Sequence, residues 1–530
     1  MKGIDKSANT ILELLEKLVK KLYSDDGCKY WEIFMMNLGN LMTDQASTNT
    51  KLAKELPKLK ELIAANDENW DQLTIEQQQK LIKVRSFACQ LHILQNMTPV
   101  VIKSLLDHEK HHRNDNELKQ PLIFILLQEI ARFLGNRAAS KYDVAKSWKS
   151  FCENHNIKFA NVPDFKGHRF NILFAIAAAV FYLLDDIIKF YDEHKTQMHD
   201  AKIDIGAALK DPLVLCQLHL LAVLNAYVTG PMTRLTENSP TISSLTEHAK
   251  SLIEFLKRVD EEPMELLHGY APFEDYEEAE EVTARSKAHI ENLDYVSPVD
   301  PEIICDAIQY VCEDLLEYCQ KKFAAFLEGG EHFQTTSDLR SVPRSNRRCE
   351  SIFGFLGSDY SVAPQKRIAR RDIKIQTKVN KTFDWYKAKP QEERERILKE
   401  AMAAASKLRA DAAEEETILG KAIWKKLLEK KQNDDKLTLI KSRKAQEAFN
   451  KVQQNGGIWR DAEQMDNVLN SLTATKKRKA VEDQLRCHKL YLQTLEATSP
   501  LFKFSAKKVT KDIGTLMRNL TSLMAIAEFA

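Results

Sequence analysis

Glycine and proline are scarce in this chain, at 16 and 15 of 530 residues. That excludes collagen-like, linker-like and proline-rich low-complexity architectures and leaves few obligatory helix breaks. Long apolar runs are also missing. The longest, Ile172 to Leu184, is closed by Asp185-Asp186 and falls short of the roughly 20 residues that a bilayer span needs. It is expected as a buried core helix, and no membrane partner is expected. The nine cysteines are scattered and no charged-then-apolar leader follows Met1, so neither a disulfide framework nor secretion is expected. No phosphate-cradling glycine loop, Ser-His-Asp arrangement or nucleotide fold stands out, and no small-molecule cofactor is expected.

What is present is apolar content of 44%, enough for ordinary cores, recurring mostly at the three-to-four spacing of helices. Strand expectations are few: Ile33 to Thr43, and Val84 to Leu91 running up to Cys89-Gln-Leu-His92. From about Thr98 to Phe333 the pattern is helical. From Pro390 the chain turns rich in Glu, Lys, Arg and Ala, with Leu419, Ile423 and Leu427 on one narrow stripe, which predicts a long helix wanting a partner helix. Asn455-Gly-Gly457 predicts a turn, and self-packing with the segment from Asp461 is the simpler expectation, with dimerisation second. The net charge of +1 hides an uneven distribution: Asp260 to Glu281 holds ten acids and no Lys or Arg, whereas Arg340 to Lys381 holds eleven bases against three acids. The basic segment suits phosphate contact, and its Arg367, Arg370, Arg371 and Lys374 share a stripe if helical.

Several motifs compete for a chemical role. His108-Glu-Lys-His-His112 matches the H-E-x-x-H zinc signature, but the polar residues around it favour an ordinary helix end over a metal site. Cys305, Cys312 and Cys319 recur every seven residues and read as small core residues. Lys476-Lys-Arg-Lys479 is a short basic cluster compatible with nuclear import. Two segments carry more: Asn40-Leu-Met-Thr-Asp44-Gln-Ala-Ser-Thr-Asn49, and Ser345-Asn-Arg-Arg-Cys-Glu350-Ser-Ile-Phe-Gly-Phe355, whose Glu350 lies 306 positions after Asp44.

The order acid, Cys89-x-x-His92, long helical stretch, then Glu350 in a Cys-Glu-Ser-x-Phe context resembles the hAT superfamily of DNA transposases. His168-Arg-Phe-Asn171 is similar to that family's Arg-Trp-Asn segment. The resemblance implies a mainly α protein with a small α/β part: a truncated RNase H-like core interrupted by a large helical insertion, plus a long helical C-terminal tail. Residues 1–105 would form a partial core, 106–340 the insertion, 341–385 the return to the core and 386–530 a coiled-coil-like tail. It implies Asp44 and Glu350 as catalytic metal ligands for Mg or Mn, a structural role for Cys89 and His92, and DNA contacts from Arg347, Arg348, Lys366, Arg367, Arg370, Arg371 and Lys374. The family's first acid belongs on a strand ahead of the helix expected at Ile4 to Tyr23, and only three residues precede that helix. The triad is therefore incomplete, and the chain reads as a transposon-derived, catalytically inactive protein that keeps DNA binding. It is expected in the nucleus, otherwise in the cytoplasm, with a homo-oligomer through the C-terminal helices. The alternative is a nonenzymatic helical scaffold with no DNA role.

Overall fold

A computed structural model of the protein describes residues 7–528 except 23–26, 45, 136–143, 166–170, 239–241, 243, 269–270, 275, 277–282, 295–299, 334–338, 340–341, 455, 498 and 507–508. His168 to Phe170 of the Arg-Phe-Asn segment, Gln45 and part of the acidic stretch thus lie outside the described residues. The chain divides into two compact bodies, one of residues 6–366 with 373–380, the other chiefly 381–530 with 367–372. The protein is mainly helical with a small α/β part.

In the first body, α1 (Ala8–Leu22) and α2 (Gly27–Asn37) precede β1 (Asn40–Thr43); α3 (Ser47–Ala64) and α4 (Ile75–Ile82) lead to β2 (Arg85–Ala88), and α5 (Gln90–Arg113) follows directly. The strands pair in parallel, from Asn40 opposite Arg85 to Thr43 opposite Ala88, and parallel strands need a helical crossover such as α3 and α4 supply. Two further bonds extend the ladder, Arg85 N–H to Gly39 O at 2.9 Å and Cys89 N–H to Thr43 O at 2.8 Å. Lys60, buried on α3, donates Nζ to Leu38 O at 3.0 Å, which ties the crossover to the start of β1. Thr74 and Gln77 form a reciprocal capping box at the start of α4, satisfying two otherwise unpaired donors.

The first strand is shorter than the sequence suggested. Residues 33–37 are the end of α2, because Trp31 and Met35 recur at helical spacing and are both buried in a small core with Val19, Leu52 and Leu56. Cys89-x-x-His92 is likewise not on a strand: Cys89 caps α5 and His92 sits in its first turn.

The helical stretch after α5 forms the largest core, continuous from Phe87 to Val342. The run at Ile172 is a buried helix as expected, Ile172–Tyr182. Asp211 caps the helix Pro212–Leu224 by accepting from Leu213 N–H and Val214 N–H, with Pro212 at the first turn, where its missing N–H costs nothing. This helix runs on through a π turn, Asn225–Thr229, into Gly230–Asn238. The continuous run Pro212–Asn238 is long and apolar enough to cross a bilayer, and 72% of its apolar window is buried inside the protein. The helix Pro301–Phe323 clamps α5: Asp314 Oδ2 accepts from Lys103 Nζ at 3.0 Å and Ser104 Oγ at 2.8 Å, and Tyr318 donates to Ile93 O at 2.9 Å.

The H-E-x-x-H residues are structural. His108 is fully buried, with Nε2 3.3 Å from Ile303 O and Nδ1 3.3 Å from Gln217 Nε2. Glu109 accepts from Arg113 Nε at 2.7 Å and from Leu122 N–H at 2.8 Å, which caps the next helix. The expected solvated helix end is therefore a buried junction.

In the second body the helix Gln391–Gln454 runs for 64 residues. Gly456 and Gly457 turn the chain at φ +91° and +84°, conformations open to glycine without strain. Trp459, Met465, Val481, Leu485, Leu516 and Leu520 then build a separate core from the helices Ala462–Asn470, Ala474–Cys487 and Ile513–Glu528. The end of the long helix, where Ala448 and Val452 are buried and Phe449 stacks on Tyr491 at 4.3 Å, packs against the helix Ala474–Cys487 and the turn that follows it.

Candidate functional site

Asp44 follows the last residue of β1 and Cys89 the last residue of β2, so both stand at the carboxyl ends of parallel strands, where α/β sheets place their ligand crevices. Glu350 is in the first turn of the helix Arg347–Val362. What brings that helix here is a seam between Arg344–Asn346 and the start of α5. Gln90 N–H donates to Arg344 O at 3.1 Å, the Cys89 thiol donates to Asn346 Oδ1 at 3.0 Å, and Asn346 N–H reaches Cys89 Sγ at 3.4 Å. Arg344 is itself buried, donating Nη1 to Leu235 O at 3.0 Å and Nη2 to His248 Nδ1 at 2.8 Å. Burial and this guanidinium push His248 down to about 3, so at neutral pH it is an uncharged acceptor.

His92 occupies the centre. Its Nε2 lies 3.9 Å from Glu350 Oε1, with the two side chains 19% and 30% exposed. Its pKa is raised, first by a hydrogen bond with Cys89, against burial, and further by the charges of Cys89, Glu350 and Asp44. In Cys89 burial works upward, but the bonds with His92 and Asn346 outweigh it and hold the thiol below its ordinary value. For Asp44 burial also works upward and is outweighed by Ala46 N–H at 2.9 Å, Asn49 Nδ2 at 2.7 Å and the charge of His92. The group thus sets an imidazole of raised pKa and an acidified thiol beside Glu350 and the charge of Asp44. Among the described residues no three His, Cys, Asp or Glu side chains converge as a metal ligand set. Glu350 lies beside His92, and Asp44 is hydrogen-bonded by Ala46 and Asn49 and acted on by the charge of His92.

The predicted DNA-contact residues separate into different environments. Arg347 Nη1 pairs with Glu237 at 2.7 Å. The Arg348 side chain lies outside the described residues. Lys366 and Lys374 converge on Asp359 Oδ1 at 3.1 and 2.7 Å, and Arg371 is 1% exposed. Arg367 and Arg370 are exposed. The basic stripe is therefore partly neutralised within the fold and partly open to solvent. Sequence reasoning passed over Asn49, Arg344, Asn346 and Asp359. Asn49 and Asn346 stood inside the two motif segments, five residues after Asp44 and four before Glu350, and for Asn346 a polar residue at helical spacing from an acid was the available signal. Arg344 and Asp359 gave none.

No family model, no curated protein and no solved structure matches this chain.

Proposed function

We propose that the chain is a transposon-derived protein with a truncated RNase H-like core of the hAT type, which holds DNA without carrying out metal-dependent strand transfer. One observation carries this reading: Glu350, 258 positions downstream, comes within 3.9 Å of His92 beside the carboxyl ends of two parallel strands, one ending at Asp44 and the other at Cys89, with the charge of Asp44 acting on His92. Separate coincidences of sequence would not be expected to converge in space. Support for the inactive state comes from His92, which lies 3.9 Å from Glu350 and interacts with the charge of Asp44, the two acids that would hold Mg or Mn in the parent enzyme. DNA contact falls to the exposed Arg367 and Arg370, which lie after the Glu350 helix and can release counterions from phosphates. The nucleus is the compartment this reading implies.

Fluorescence anisotropy with a short DNA duplex tests the binding. Affinity should fall steeply with salt, and Arg367→Ala with Arg370→Ala should weaken it and make the logarithmic salt slope shallower by about two. Absence of salt-dependent binding by the intact chain would defeat the DNA reading. Joined strands formed by the intact chain in Mn would defeat the inactive one.

A further inference from the structure

A cavity of about 350 Å³ lies within the first body, between the helix Ile172–Tyr182, the run Pro212–Asn238 and the helix Ala284–Glu291. Ala175, Ala178, Ala222 and Ala226 on its walls leave the room, and Asn171, Asn225, Thr233, Arg234 and His289 supply polar groups. Apolar walls with a few placed polar groups, at roughly 300–1,000 Å³, are the usual makeup of a small-ligand site. Two of those groups are incomplete. Asn171 gives Nδ2 to Asn225 Oδ1 at 2.8 Å, but its own Oδ1 is buried without a hydrogen-bond partner, and so is His289 Nε2. Such atoms are costly to leave unpaired, and a ligand that bonds them recovers the loss. The backbone is irregular at the same place. Asn225 opens the π turn Asn225–Thr229, closed by Gly230 N–H on Asn225 O, and a side chain at Gly230 would run into that oxygen. Pro231 has no N–H to continue an ordinary ladder, and single π turns of this kind recur at functional sites.

We propose that this cavity binds a small hydroxycarboxylate, with its carboxylate on the Arg234 guanidinium and its hydroxyl donating to Asn171 Oδ1. Arg234 is the one cation among the described lining residues and is half-buried, and burial lowers its pKa. An anion beside it replaces the water it has lost, and a guanidinium fork matches a carboxylate with two parallel bonds. Glu237, the one acid of the described lining, is held by Arg347 Nη1 at 2.7 Å. One guanidinium therefore answers one negative charge, which favours a carboxylate over a doubly charged phosphate. Asn171 Oδ1 only accepts, so the ligand must bring a donor, and a hydroxyl does so without the second positive charge that an ammonium would set beside Arg234. His289 is pushed down to about 4 by burial and by Arg285. At neutral pH its Nε2 therefore completes the site as an uncharged partner for the same ligand. This inference needs no DNA role.

Isothermal titration calorimetry of the full chain with glycerate and with lactate should give saturable binding at one site, with a Kd of about 1 mM or below. Acetate, which lacks the hydroxyl, should bind at least about tenfold more weakly. Arg234→Gln should weaken glycerate binding at least about tenfold, and Arg234→Lys, which keeps the charge without the fork and serves if Arg234→Gln does not fold, should weaken it as well. Asn171→Leu should bring glycerate down to the affinity of acetate. Ala178→Leu fills the space and should remove binding while circular dichroism keeps its helical signal. No binding of either hydroxycarboxylate at about 10 mM, inorganic phosphate bound more tightly than glycerate, or an affinity indifferent to the Arg234 and Asn171 changes would overturn the proposal.

Discussion

His92 Nε2 stands 3.9 Å from Glu350 Oε1, a contact between residues 258 positions apart. The hydrogen bond with Cys89 is the largest cause of the raised His92 pKa, with Glu350 and Asp44 adding to it. Its stabilising contribution is therefore complete below the ordinary histidine value and lost as pH rises through the elevated one. NMR titration of the imidazole should place His92 above its ordinary range, and Glu350→Gln should lower it. An unchanged titration in that variant would show that the two side chains do not interact in solution.

Cys89 joins three things: the end of β2, the first turn of α5 and Asn346. Cys89→Ala removes the donor to Asn346 Oδ1 and the acceptor for Asn346 N–H at a fully buried position. Chemical denaturation should report a loss of about 1–3 kcal/mol, and His92 should titrate lower than in the intact protein. Stability within a few tenths of the parent would mean that the seam holds without the thiol.

Buried histidines weaken the first body in acid, His108 and His248 among them, with His289 likewise pushed down to about 4. His108 is pushed down to about 4 by burial and by His112, and His248 down to about 3 by burial and by Arg344. Unfolded, each would take a proton near pH 6.5, so the unfolded state binds more protons below that point and stability falls as pH drops. The slope is about 1.4 kcal/mol per pH unit for each histidine until its folded value is reached. Melting curves between pH 7 and 4 should show this decline, and His248→Gln should flatten it; a slope that His248→Gln leaves untouched would count against a buried neutral His248.

Glu109 sits in a zinc-protease motif yet is 1% exposed and committed to Arg113 and Leu122. Removing Glu109 leaves the Leu122 N–H without its acceptor, a cost of about 1–3 kcal/mol, while Arg113 keeps Asp211 at 2.7 Å. Glu109→Ala should lower the melting temperature strongly, and Glu109→Gln, which can still accept from Leu122 N–H, should lower it less. A chelator should leave the melting temperature of the intact protein unchanged, whereas a large drop with chelator would revive the zinc reading.

Helix content, the buried run at Ile172 and the turn at Gly456-Gly457 were legible in the sequence because each depends on neighbours within a few residues. The boundary at Asn37 was not. Ile33-Phe34-Met35-Met36 is apolar enough for strand or helix, and the contacts of Trp31 and Met35 with α1 and α3 decide between them. The special standing of Asp44, Cys89, His92 and Glu350 was readable as a pattern of residue types, but Asn346 binds Cys89, and Arg344 binds His248, through contacts 257 and 96 residues away in sequence. The pairing of Lys366 and Lys374 was hidden for the same reason: Asp359 was counted as one acid among many bases, and only the fold brings it against them.

Because Asn346 closes over Cys89 from so far downstream, the order of synthesis matters. A ribosome adding about 5–20 residues per second needs roughly 10–50 s to pass from Cys89 to Asn346. Throughout that interval the acidified thiol environment is unmade and Cys89 waits without its eventual cover. Until Asn346 arrives, the Cys89 sulfur lacks both of the bonds that join it to that residue in the finished fold.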